Sequence, residues 1–191
     1  MILTLLGFAC VPDLYTPEGQ LDDGGDWEAP DNDWPLATPP SGLEAEGFAQ
    51  GEVAPDMRLH DQHGDEVSLW QFYGSVIVID VSTMWCGPCK TIASEVDDTW
   101  YDYKDDGFMY LTLLPENESG QVPSQDDLNE WADDYGISAP VLADDQGFGY
   151  QIEPNGRYPT LMVLDRELKV VEDRVEPAED AVIRALIESE L

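Results

Sequence analysis

Between Ser75 and Val81 the chain is almost entirely aliphatic and β-branched, Val76-Ile77-Val78-Ile79-Asp80-Val81, with no polar alternation. Such a run reads as a central strand buried on both faces, so the fold must cover a sheet on each side. One carboxylate, Asp80, interrupts it. The strand leads into Trp85-Cys86-Gly87-Pro88-Cys89-Lys90, and beyond it Ile92, Val96 and Trp100 recur on one side of a helix, with Asp97, Asp98 and Asp102 on or near the solvent side. Two thiols thus stand on the first turn of a helix at the end of a buried strand. They can close a disulfide, open to a dithiol, or hold a metal.

The flanking patterns supply the cover. Ala54 to Leu59 and Asp61 to Val67 read as a strand, a turn at Gly64 and a return, followed by a short helical turn over Leu69-Trp70-Gln71-Phe72-Tyr73. Phe108 to Leu114 is the next buried strand. A second helix has Ser124 and Asp127 as a capping-box-like start, Leu128, Trp131, Ala132 and Tyr135 on one face, and Gly136 as its stop. Pro140 to Ala143 makes a short strand, and Gly147 to Gly156 a loop or irregular helix. Thr160 to Leu164 and Leu168 to Val171 form a hairpin around Asp165-Arg166-Glu167, and Pro177 opens a last helix carrying Val182, Ile183, Leu186 and Ile187. This succession of strands and helices predicts an α/β fold with a mixed central sheet flanked by helices on both faces.

The first fifty residues read differently. Met1 to Cys10 is apolar, ends in Ala9-Cys10 and gives way at once to Val11-Pro12-Asp13. It is too short to span a bilayer and reads as the core of an export signal over 1–10. It resembles the lipobox of bacterial lipoproteins, which makes Cys10 the candidate for lipidation, although Gly7 stands where leucine is usual and no Lys or Arg precedes the run. Residues 11–50 hold ten acidic residues, six prolines and no Lys or Arg, the composition of an acidic, Pro/Gly-rich disordered tether. Trp27 and Trp34 are candidates to dock on the domain expected over 51–191. Over the whole chain, 41 Asp and Glu against 8 Lys and Arg leave a net charge of −33. That excludes a basic footprint for nucleic acid or an anionic membrane surface, and leaves Cys10 as the one expected route to a membrane. The same charge fits a solvating surface or a preference for basic partners.

The stretch Val78 to Lys90 resembles the active-site segment of thioredoxins. The Ala54-Pro55-Asp56 entry, the extra helix around Trp131 and Tyr158-Pro159-Thr160 are similar to the TlpA/ResA-type thiol–disulfide oxidoreductases of the cell envelope; the resemblance covers about Gly51 to Leu191. It implies a thioredoxin-like fold with an extra N-terminal β-hairpin, no metal, and no cofactor beyond a redox-active Cys86–Cys89 disulfide. Cys86 would attack a substrate disulfide, and Cys89, more buried, would resolve the mixed disulfide. Asp80 stands where the family keeps a buried acid that accepts the Cys89 proton. The lysine often paired with that acid is missing, since the next strand offers Thr112 and Leu113. Pro159 would be a cis-proline facing the disulfide. Trp85, Gly87, Pro88, Tyr158, Pro159 and Thr160 would form the substrate-binding surface, with the Tyr158 backbone open to strand-like pairing.

The function implied is reduction of disulfides in oxidised exported proteins, on the periplasmic side of a bacterial envelope, with a membrane thiol reductant as electron donor. Gly-Pro between the cysteines is the pairing associated with reducing thioredoxins. An oxidase or isomerase running the same exchange in reverse is the near alternative. A copper(I) chaperone, using soft thiolates, is the distant one. Zinc would want a second ligand pair, and His60 and His63 are the only histidines. A peroxidase motif is incomplete: Thr83 precedes Cys86 at the right interval, but Ile79 stands where a proline is required.

Overall fold

The computed structural model describes residues 27–191. The export signal, Cys10 and the tether up to residue 26 lie outside the described residues. A small antiparallel hairpin, β1 (Arg58–His60) and β2 (Glu66–Ser68), precedes the main sheet. The central strand β3 (Val76–Thr83) is buried at every position. It is followed by α1 (Gly87–Tyr103), β4 (Phe108–Glu116), α2 (Gln125–Tyr135), β5 (Val141–Ala143), α3 (Phe148–Ile152), β6 (Thr160–Leu164), β7 (Val170–Glu172) and α4 (Asp180–Glu190). The sheet order is β5-β4-β3-β6-β7, with β3, β4 and β5 parallel and β6 and β7 antiparallel to their neighbours. This is the mixed, helix-flanked sheet and N-terminal hairpin that the sequence predicts.

The pleat of β3 sorts the core into two layers. Val76 and Val78 face α1, α2 and α4, packing with Ile92, Val96, Trp131, Ile183 and Ile187. Ile77, Ile79 and Val81 face the other way, toward Leu59, Val67, Phe72 and Phe148. Asp80 shares the parity of Val76 and Val78, which places it on the face covered by α1. In register it lies between Thr112 of β4 and Leu161 of β6.

Helix ends follow local chemistry. In α2 the Ser124 and Asp127 side chains cap each other's backbone, and Gly136 closes the helix in the left-handed conformation at φ 65°. The last helix starts later than its proline. Glu179 is still extended, and α4 opens at Asp180, three residues beyond Pro177.

Residues 27–50 are not a free tether; they form a strap laid across the second face of the sheet. Trp27 donates its indole N–H to Ser68 Oγ (3.1 Å), and Trp34 donates to Asp61 Oδ2 (2.6 Å). Asn32 exchanges amide hydrogen bonds with Gln71, and Ala37 N–H donates to the Gln71 carbonyl. Asp61 and Gln71 are fully buried, so the strap satisfies polar groups that would otherwise be stranded. Trp27, Trp34, Leu43, Ala45 and Phe48 add apolar cover. Average composition hides this, because the few aromatic and amide residues in an acidic, proline-rich segment are the ones that dock.

Both sheet edges are closed. Gly51 donates to the Val170 carbonyl and Val170 to the Glu52 carbonyl, so the end of the strap pairs with β7. On the β5 side, Asp61 bridges to Leu142, and the Gln62 amide bonds Ala139 and Val141. Covered edges have no free ladder for another chain to join. None of the helices among the described residues is long and apolar enough to cross a membrane.

Candidate active site

The site forms where β3 ends and α1 begins. Cys86 is the N-cap of α1, extended at φ −83° and ψ 115°, with Gly87 and Pro88 as the first two helical residues. Proline is well tolerated there, because its missing N–H would have no intrahelical partner. The Cys86 sulfur accepts the Cys89 N–H at 3.2 Å, and Lys90 N–H donates to the Cys86 carbonyl in the first full turn. The two cysteines are joined as a disulfide, with Cα atoms 5.2 Å apart. Cys86 is 5 % exposed and Cys89 not at all, so an incoming sulfur can reach only the first. Once the disulfide opens, a Cys86 thiolate sits on the positive end of the helix and keeps an N–H donor.

Asp80 is fully buried on the face under α1. Its Oδ1 accepts the Ser82 hydroxyl at 2.7 Å, and its Oδ2 has no partner among the described residues. Burial pushes the carboxyl from 3.8 up to about 7, against the smaller downward pull of Ser82. The residue opposite on β4 is Thr112, whose hydroxyl is also buried without a partner among the described residues. No cation among the described residues draws the value back down.

On the far side of the disulfide, the Tyr158–Pro159 bond is cis. The Tyr158 carbonyl lies 3.5 Å from Cys86 Sγ, a close approach in the disulfide and a hydrogen bond only when a thiol proton is present. The Tyr158 N–H donates to nothing among the described residues. Gly87, Pro88, Thr91, Ile92, Pro159 and Ala178 line an open groove of about 360 Å³ along the first turns of α1. Trp85 is 46 % exposed and meets the Tyr158 ring edge-on at 6.1 Å.

Thr160 differs from its neighbours. It is buried, donates to the Arg157 carbonyl (2.8 Å) and accepts from Arg174 (3.0 Å), while Arg174 pairs with the fully buried Glu153. Its side chain therefore braces the loop and is not available to a substrate. The two histidines lie on and beside the β1–β2 hairpin, where His63 stacks on Trp34. No group of three His, Cys, Asp or Glu among the described residues is arranged to hold a metal.

Sequence reasoning missed Glu116, Tyr150, Glu153 and Arg174. Glu116 accepts from Trp85 and from the Tyr150 hydroxyl, which links two exposed aromatic residues beside the sulfurs. No local spacing signals either contact.

Comparison with known proteins places this geometry in a family. Over 127 residues the chain is 27 % identical to the thioredoxin-like protein YneN of Bacillus subtilis, covering 66 % of this chain and 71 % of that one. It is 24 % identical to the thiol–disulfide oxidoreductase ResA of Geobacillus thermodenitrificans, covering 66 % and 70 %. A putative thiol:disulfide interchange protein DsbE from Chlorobium tepidum superposes with a TM-score of 0.62 at 24 % identity, over 75 % of this chain and 99 % of its own, a likeness of fold. The model of the AhpC/TSA family matches residues 50–173, from the end of the strap to just past β7. That span holds both cysteines, Asp80 and the Tyr158–Pro159 loop, and the chain belongs to the AhpC/TSA family.

Proposed function

We propose that this chain is a thiol–disulfide oxidoreductase that reduces disulfides in exported proteins through a Cys86/Cys89 dithiol. The observation that carries the reading is a closed disulfide at the N-cap of α1, between Trp85 and Pro159, whose first cysteine keeps a small exposure while the second has none. In the dithiol form, the Cys86 thiolate attacks one sulfur of a substrate disulfide. That bond breaks, a mixed disulfide forms, and the departing substrate thiolate takes up a proton. Cys89 then gives its proton to Asp80 and attacks Cys86 Sγ. The mixed disulfide breaks, the second substrate thiol leaves, and the internal disulfide closes. Two electrons pass to the substrate; of its two thiol protons, one comes from Cys89 by way of Asp80 and the other from solvent, and a membrane thiol reductant restores the dithiol.

The unoccupied backbone of Tyr158 and the groove beside Pro88 and Pro159 favour an extended polypeptide as substrate. The relatives named ResA support a place on the periplasmic side of a bacterial envelope, and in this reading the anchor is Cys10 of the lipobox-like segment. The direction of exchange is a matter of potential. Equilibrating the purified protein with redox buffers should place the Cys86/Cys89 couple near −270 mV, roughly the thioredoxin value. A couple near about −120 mV, the range of a strong oxidant, would overturn the reductase reading in favour of an oxidase.

A further inference from the structure

Next to the disulfide, outside the groove, stands a carboxylate without a counter-ion. Glu116 ends β4, and the β3–β4 register slips between Val81 and Thr83, so that Thr83 pairs with Glu116. Met84 N–H then donates to the Glu116 carbonyl, which brings the side chain up alongside Trp85. Glu116 Oε2 accepts the Trp85 indole N–H at 2.7 Å, and Oε1 accepts the Tyr150 hydroxyl at 2.8 Å. Each oxygen can accept about two hydrogen bonds, so acceptor capacity remains. No Lys or Arg pairs with Glu116 among the described residues.

The frame around this charge is aromatic. Trp85 and Tyr150 are 46 % and 45 % exposed, and Tyr158 meets Trp85 edge-on. The charge registers on its neighbours. Burial first, then Glu116, pushes the Tyr158 hydroxyl up to about 12, and Tyr150 is moved upward by the same causes. Exposed aromatic faces around an unpaired carboxylate attract a cation by quadrupole and by charge. The net charge of −33 on the chain draws cationic groups toward the surface in the first place.

We infer that Trp85, Glu116, Tyr150 and Tyr158 form a subsite for a basic side chain, Lys or Arg, close to the attacked disulfide of a substrate polypeptide. The inference rests on the reductase reading and specifies its substrate class. A polypeptide is the favoured source of the cation, because the groove and the free Tyr158 backbone next to the subsite suit an extended chain.

The test uses the full chain and one synthetic disulfide peptide in three versions, with Arg, Gln or Glu beside the attacked cysteine. Each kcat/KM is divided by the rate at which dithiothreitol reduces the same peptide, which removes the effect of charge on the peptide's own thiols. The Arg peptide should exceed the Glu peptide about tenfold at low salt, the combined size of an exposed cation–π contact and an exposed ion pair, and less at high salt. In Glu116→Gln the ratio should drop below about threefold, leaving diffuse steering. Tyr150→Leu, which keeps the carboxylate and removes one ring, should lower it to roughly half. An unchanged ratio in Glu116→Gln, or equal turnover of all three peptides by the wild type, would overturn the subsite and leave the reductase reading standing. Failure to reduce any peptide, the uncharged Gln version included, would refute the reductase reading and the subsite with it.

Discussion

Replacing Asp80 with Asn should shift the stability of the oxidised protein, relative to wild type, in favour of the variant as pH rises. Asp80 is fully buried and has one hydrogen bond, from Ser82, and desolvation moves its carboxyl from 3.8 to about 7. Between those values the folded protein holds a proton that the unfolded chain has released. Wild-type stability therefore falls as pH rises through that window and levels off above about 7. The full displacement corresponds to about 4 kcal/mol, of which roughly 3 kcal/mol is expressed between about pH 5 and about pH 8.5. Asn keeps an oxygen for Ser82 and does not titrate. Its NH₂ replaces an oxygen that already lacks a partner, at a cost of ~1–3 kcal/mol that is the same at both pH values. Urea unfolding of both proteins at the two pH values, with the disulfide closed, isolates the site, because all other titrations are shared. The stability of the Asp80→Asn variant relative to wild type should shift by about 3 kcal/mol in favour of the variant at the higher pH. A flat difference, or one moving the other way, would mean that the carboxylate is solvated or paired, and the assignment of Asp80 as proton acceptor would lose its basis. The same substitution should slow resolution of a trapped mixed disulfide at neutral pH.

Three further perturbations address the attack, the strap and α3. Cys89→Ala should leave substrate covalently held at Cys86, visible as a reducible adduct by mass spectrometry, and lack of any adduct would remove Cys86 as the attacking group. Trp34→Phe deletes the 2.6 Å bond to buried Asp61 and should cost about 1.5–3 kcal/mol while speeding proteolysis within residues 27–50. An unchanged denaturation midpoint with unchanged cleavage would show that the strap contributes nothing in solution. Gly149→Ala places a methyl 3.0 Å from Asp144 Oδ2 and Val81 Cγ1 and 3.2 Å from Pro115 Cγ. Asp144 is fixed by the Phe148 and Gly149 N–H groups, so the clash should cost about 1–3 kcal/mol, and wild-type stability in thermal melts would contradict the packing of α3.

The parts of the fold that can be read from sequence are those set by local periodicity. The unbroken run in β3 demands cover on both faces, and the structure supplies it. The Ser124–Asp127 box and Gly136 mark α2 at both ends. Reading Pro177 as the start of α4 fails because Glu179 stays extended, which no proline two residues back can prevent. The strap escapes a compositional reading for a different reason. Its order comes from single long-range bonds, such as Asn32 to Gln71 and Trp34 to Asp61, that the acidic and proline residues around them outweigh in any average. Likewise Cys86 and Cys89 stand out by their spacing, and Asp80 as the one carboxylate in a buried apolar run. Glu116 and Tyr150 meet only because of a register slip and the short helix α3, neither of which has a sequence period.

One turn of helix treats the two sulfurs differently, and β3 completes the asymmetry. Cys86, at the N-cap, is the sulfur that solvent and the Cys89 N–H can both reach, so its thiolate can form without help from a base. Cys89 is sealed from water, and its proton needs an internal acceptor. An acid left at 3.8 would be ionised but too weak a base to take a thiol proton readily, while one far above neutrality would already be protonated. A value of about 7 lies between these limits, and it is reached by burial alone, with Thr112 rather than a cation across the strand. The stability that Asp80 removes when ionised is thus the physical source of its basicity. A substitution that relieves the cost of burying this charge also removes the base on which the proposed resolution step rests.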